Sequence, residues 1–249
     1  MTIEILMLVF VFSLFLGSFY NVVALSTLKK ESFIMPSSHC MMCNHKLNML
    51  DMFPVLSYLL LGGKCKYCKA KASPIYPFGE LFTAIAYTIV VWKFGFTLDT
   101  AIHLVFVTMM ILATVSDLKE MMILDRYWTI GVVSITILRL IQNENTSYYI
   151  VSALLSFGIL LLIMILSRGK IGGGDVKLYA LIGISVGLGN AICSLSYASI
   201  LAMVYFIALF IKRRTFRLLD KDRMVPFVPF IFAGVLLTYI YNMYWYLEL

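Results

Sequence analysis

Long apolar runs broken by short polar links set the pattern of this chain. The first run is Ile3–Leu28, and a polar stretch, Lys29–Ser73, separates it from the second, Pro74–Trp92. Six more follow at short intervals: Leu98–Ser116, Tyr127–Ile141, Tyr148–Leu166, Val176–Leu188, Ala191–Ile211 and Val225–Tyr246. A hydrocarbon layer of about 30 Å needs about 20 apolar residues in a helix, and lipid offers no partner to an unpaired backbone group. The pattern therefore predicts an all-α polytopic membrane protein with about eight transmembrane helices. Gly189-Asn190 reads as the turn between the sixth and seventh. The organisation expected is a first helix over 1–28, a loop over 29–73 and a seven-helix core over 74–249.

Composition agrees with that class. The chain is 61% hydrophobic and 13% charged, where soluble domains carry about 25% charged residues. Its net charge of +7 raises the question of nucleic acid, but the placement of the charges answers it. With the N-terminus outside, eighteen of the twenty Lys and Arg fall on the inner side, and only Lys93 and Arg139 fall on the outer. That is the asymmetry expected of membrane topology and of contact with anionic inner-leaflet lipid. No nucleic-acid partner is expected, and both termini are placed outside. The first apolar run has no basic residues before it and no small-residue cleavage site, so it reads as a retained helix.

The polar loop holds Cys40-Met41-Met42-Cys43 and Cys65-Lys66-Tyr67-Cys68. Four thiolates in two such pairs suit one tetrahedral zinc. The threading puts them in the reducing cytosol, where disulfides are rare; redox pairs are the alternative. A structural zinc would tie down a loop too small to bury a core of its own. His39 and His45 flank the first pair as surface or supporting groups, and His103 reads as a bonded helix-packing residue. Cys193 reads as a small apolar packer.

A second cluster of chemistry lies at Lys170-Ile171-Gly172-Gly173-Gly174-Asp175-Val176-Lys177-Leu178. A carboxylate at a membrane boundary is costly, and such groups face protein or water. The glycines let another backbone come close. A helix starting near Asp175 would set the carboxylate at the positive end of its dipole. Equally, the stretch reads as a glycine-rich turn with Asp175 as N-cap. The threading brings Asp117, at the end of the third run, to the same face. Two carboxylates a few ångström apart share one proton, the neutral one acting as acid and the charged one as base toward a water. Taken singly, Asp117 reads as a helix-end charge beside Lys119. Asp125 is expected to cap the fourth helix, and Asp99, Asp220 and Asp222 need no special role.

In this order the residues resemble a type IV prepilin peptidase of the bacterial late-competence kind, among the GxGD membrane aspartyl peptidases. Gly172-Gly173-Gly174-Asp175-Val176-Lys177-Leu178 is similar to the family's GxGD stretch, and Asp117 stands where its first catalytic Asp follows the third span. Cys40, Cys43, Cys65 and Cys68 match its cytosolic tetrad. Gly17-Ser18-Phe19-Tyr20-Asn21, Pro54-Val55-Leu56-Ser57-Tyr58, Tyr76-Pro77-Phe78-Gly79-Glu80-Leu81 and Pro226-Phe227-Val228-Pro229-Phe230 resemble further family signatures. The resemblance implies a bacterial inner-membrane aspartic endopeptidase. Its substrate would be a prepilin or pseudopilin with a short basic leader and an apolar N-terminal helix, cut at the cytosolic face. Many members also methylate the new N-terminus with S-adenosylmethionine, and Glu80 is the candidate here for contact with that cofactor. Asp117 and Asp175 are the expected catalytic pair. Gly172, Gly173, Gly174 and Lys177 are expected to position substrate, the glycines by pairing with it as an extended segment. Two other classes remain open on the residues alone. One is a proton- or cation-coupled transporter using the intramembrane Asp residues. The other is a non-enzymatic zinc-bearing scaffold of a pilus or secretion machine.

Overall fold

The computed structural model describes residues 2–29, 42, 43, 45, 53–143, 145–169, 171–213 and 225–247. Among the described residues eight helices follow in order: α1 (Ile3–Lys29), α2 (Leu56–Leu60), α3 (Ile75–Phe94), α4 (Leu98–Glu120), α5 (Asp125–Gln142), α6 (Thr146–Leu166), α7 (Gly173–Arg213) and α8 (Val228–Leu247). Among the described residues there is no strand, only an isolated antiparallel bridge between Lys64 and Lys71. Helices α1, α3, α4, α6 and α7 are long and apolar enough to cross a membrane, and α8 adds a shorter apolar stretch, Val228–Tyr241. The all-α membrane architecture expected from hydropathy is the one the chain adopts.

Two compact units divide the chain, Met1–Gly95 and Phe96–Leu249. In the first, α1 lies along α3. The contact is built from small and polar residues, as is usual where lipid gives no hydrophobic drive for helices to associate. A Cβ on Gly17 would sit 2.7 Å from the Glu80 Cα, so only glycine allows this approach. Asn21 is buried and its Nδ2 donates to the Tyr76 carbonyl at 2.9 Å, and the Tyr20 and Tyr87 hydroxyls meet at 2.8 Å. The opposite side of α1, with Leu8 and Phe12, is exposed and suited to lipid.

In the second unit α6 packs along α7, where a Cβ on Gly183 would fall 2.8 Å from the Ala153 Cα. The Tyr239 hydroxyl and His103 Nδ1 lie 2.8 Å apart, joining α8 to α4 in the packing role expected of His103. Cys193 is exposed instead of packed. Helix α7 is broken at Gly187 (φ 80°, ψ 166°) and not at Gly189-Asn190, which are helical. The reason is tertiary. Breaking a helix strips partners from the carbonyls one turn earlier. Arg139 supplies one, donating through Nη2 to the Ser185 carbonyl at 2.8 Å. A Cβ at Gly187 would meet the Tyr148 hydroxyl at 3.0 Å. Arg139 is itself buried. Its Nη1 donates to Asp99 Oδ1 and to Gln142 Oε1, each at 3.0 Å, and its guanidinium lies 3.6 Å from the Tyr149 ring centre. Asp99, which needed no special role in the sequence, is the counter-ion this buried charge requires.

Candidate active site

Asp117 sits in the last turn of α4, whose end is set by Met121 in the left-handed conformation (φ 52°). Its side chain is 7% exposed. One carboxylate oxygen, Oδ2, accepts the Val228 N–H at 3.0 Å, and the Phe227 N–H is also hydrogen-bonded to this carboxylate. Val228 opens α8, so the N-terminus of α8 rests on Asp117. An anion at a helix start meets unpaired N–H groups and the positive end of the dipole.

Asp175 is the third residue of α7 and is 9% exposed. It is not the N-cap. That place belongs to Gly172, whose carbonyl accepts the Asp175 N–H at 3.1 Å and whose own N–H donates back to the Asp175 carboxylate. The carboxylate reaching back to the N-cap N–H is one half of a capping box; with glycine at the N-cap, the other half is a backbone carbonyl. The two acids are close enough that charge on Asp117 acts on Asp175. The structure thus brings together two buried carboxylates from α4 and α7, each hydrogen-bonded to backbone at the start of a helix.

The three glycines differ. A Cβ on Gly174 would meet Ile123 Cδ1 at 2.8 Å, so this glycine admits the 121–124 link. A Cβ on Gly172 would sit 3.2 Å from Asp175 Oδ2, while one on Gly173 would meet nothing. Gly173 and Gly174 lie in the first turn of α7, so the extended pairing expected of 172–174 is not the conformation they hold. Lys177 reaches Asp125, at 2.5 Å from its Oδ1, and stands 5.9 Å from the Trp128 ring centre. Asp125 is the first residue of α5 and not its cap, which is Leu124. The Lys177 ammonium and then the Trp128 indole, donating at 3.1 Å, hold the Asp125 carboxyl below the usual carboxylate range.

In the first unit the second cysteine pair forms a tight turn. The Cys65 N–H donates to the Ala70 carbonyl at 2.8 Å, the Lys69 N–H to the Cys65 carbonyl at 3.0 Å, and Lys69 is left-handed (φ 58°). The sulfurs of Cys43, Cys65 and Cys68 lie within 4.8 Å of one another. A tetrahedral zinc with Zn–S bonds of about 2.3 Å spaces its sulfurs by about 3.8 Å, so this donor set fits zinc. Cys40, the expected fourth ligand, lies outside the described residues, as does His39. The His45 ring stacks on Tyr67, with centres 3.6 Å apart. Glu80 is buried, and its Oε2 accepts the Val55 N–H at 2.8 Å, with the Ser18 hydroxyl as a further partner.

Two family descriptions match the chain. Residues 11–94 match the bacterial peptidase A24 N-terminal domain, and residues 104–207 match the type IV leader peptidase family. A prepilin leader peptidase/N-methyltransferase of Bacillus subtilis is 32% identical over 95% of this chain and 94% of its own length. The chain belongs to the type IV leader peptidase family. A Pseudomonas aeruginosa protein of the same description is 31% identical over 60% of this chain and 54% of its own. A type 4 prepilin-like proteins leader peptide-processing enzyme of Escherichia coli is 30% identical over 70% and 71%. No solved structure matches.

Sequence reasoning missed the Phe227 and Val228 N–H groups as partners of Asp117. The only signal was Pro226 and Pro229 bracketing them. It also missed the Glu80–Val55 contact, although both residues fell in stretches singled out above.

Proposed function

We propose that this leader peptidase family member hydrolyses the leader of a prepilin or pseudopilin with Asp117 and Asp175 as its catalytic pair. One observation carries the reading. Two acids 58 positions apart are both buried, both turned to helix starts, and within each other's field. A water held between them loses a proton to the charged carboxylate as its oxygen bonds the scissile carbonyl carbon. The neutral carboxyl gives its proton to the carbonyl oxygen. Collapse of the diol returns that proton to the same acid, breaks the C–N bond and sends the first proton to the departing nitrogen. Neither acid ends changed, and no side chain is acylated.

The substrate's apolar helix lies among the spans with its basic leader in the cytosol, and the dyad stands at the cytosolic face with both termini outside. Cys43, Cys65 and Cys68, with Cys40, would hold a zinc that orders the loop and so orients the leader. Methyl transfer from S-adenosylmethionine rests on the likeness to relatives described as N-methyltransferases. Detergent-solubilised protein incubated with a purified pseudopilin gives the test, read as product mass. A cut after the leader is expected, with a further methyl mass when the donor is added. Wild-type cleavage by both Asp117→Ala and Asp175→Ala would falsify the dyad.

A further inference from the structure

The start of α8 is completed by a side chain 111 positions away. Every N–H group from 226 to 231 can be accounted for. Pro226 and Pro229 have none. Phe230 and Ile231 donate to the Phe227 carbonyl at 3.0 and 3.1 Å. The two that remain, on Phe227 and Val228, go to the Asp117 carboxylate. Val228 is fully buried, and so are Ile231 and Phe232 in the next turn, so this end of the helix is anchored by apolar packing. Two donors from one rigid element fix both the position of a carboxyl group and the rotation of its plane.

We propose that the α8 lead-in, Pro226–Pro229, is the positioning element of the peptidase site, with the Val228 N–H setting the orientation of Asp117. The inference rests on Asp117 being catalytic. Asp175 draws its backbone partner from its own helix, one turn away, and so moves with α7. Asp117 instead takes its partners from a different helix. Its orientation therefore depends on α8 staying docked, and a shift of α8 relative to α4 misaligns Asp117. The two prolines serve this by limiting the conformations open to the lead-in and by leaving no competing donor beside the carboxylate.

The test removes the donor and keeps the helix. Proline is well accommodated at the first helical position, where Val228 sits. Val228→Pro therefore deletes the N–H, and Val228→Ala deletes the side chain alone. In a pseudopilin cleavage assay with the full chain, Val228→Pro should have a kcat roughly tenfold to a hundredfold below that of Val228→Ala. KM should agree within about twofold between them, since the donor acts on the reacting group and not on substrate binding. The pH profile of kcat should also shift in Val228→Pro and not in Val228→Ala, a change that simple loss of packing does not produce. Equal kcat values and superimposable pH profiles would overturn the proposal. Asp117→Ala and Asp175→Ala run alongside keep the two readings apart. If they are inactive while the two Val228 variants match, only the positioning role fails; if they cleave normally, the dyad itself fails. Should Val228→Pro not accumulate in the membrane, the amide spectrum of valine-labelled protein decides. One valine amide, identified by its loss in Val228→Ala, should move with pH in the wild type and stay still in Asp117→Ala. An amide that titrates alike in both, or in neither, counts against the contact.

Discussion

Glu80 in the first unit and Asp117 in the second are the same device put to different ends. Each is a buried acid on a membrane helix, and each accepts a backbone N–H where a short helix or a lead-in begins: Val55 before α2 for Glu80, Val228 at the start of α8 for Asp117. The N–H that Glu80 holds belongs to a β-branched residue at positive φ (Val55 φ 60°, ψ −48°), a costly conformation that persists only when its surroundings enforce it. Asp117 holds an unstrained helix start. The decisive difference is company. Asp117 has a second carboxylate within its field, while among the described residues the partners of Glu80 are hydrogen-bond donors. A lone buried carboxylate anchors backbone; the same carboxylate beside another acid can also carry a proton to and from a water.

The largest effect belongs to the pair. Asp117→Ala and Asp175→Ala should each lower pseudopilin cleavage by about a thousandfold or more, while the protein stays in the membrane. Next comes the cysteine cluster. The purified chain should carry about one zinc, and Cys68→Ser or a strong chelator should remove it. Limited proteolysis within the cysteine loop would then rise, with cleavage of the pseudopilin falling less than in the Asp variants. If metal content is unaffected by Cys68→Ser, the cluster is not a zinc site. Glu80→Ala should leave the Val55 N–H without its partner, a loss of about 1–3 kcal/mol. Thermal unfolding and faster proteolysis near residues 53–74 would report it. Glu80→Gln keeps an acceptor and should lose less. If Glu80→Ala cleaves normally but never adds a methyl mass, the contrast breaks, and Glu80 belongs to the chemistry after all. Smallest is Asp125→Asn, which weakens an exposed pair with Lys177. Such pairs contribute little because solvent screens them, so no measurable change in Tm is expected. What stability the pair does give would be present at neutral pH and fade as acid protonates Asp125, whose carboxyl Lys177 holds low.

The helices were readable because lipid demands it: a span must satisfy its own backbone, so it must be long, apolar and uninterrupted. Where the pattern misled, a distant residue had intervened. The break in α7 was read at Gly189-Asn190 from local turn chemistry. It occurs at Gly187, whose φ of 80° and ψ of 166° suit glycine, and Arg139, from α5, reaches the freed Ser185 carbonyl. Arg139 itself had been counted only as an outer-side charge, since nothing adjacent to it signals burial. Asp125 looked like a cap but makes side-chain bonds with Trp128 and Lys177 instead.

The order of apolar runs, the clustering of basic residues in particular links, the cysteine spacing and the sequence positions of the two acids are all properties of the linear chain, because each depends on residue type and interval alone. Whether Asp117 and Asp175 sense one another, and which backbone groups orient them, was settled only when α4, α7 and α8 packed. Hydrogen bonds act over about 3 Å, and the distance between two points on a chain says nothing about which of them folding brings that close.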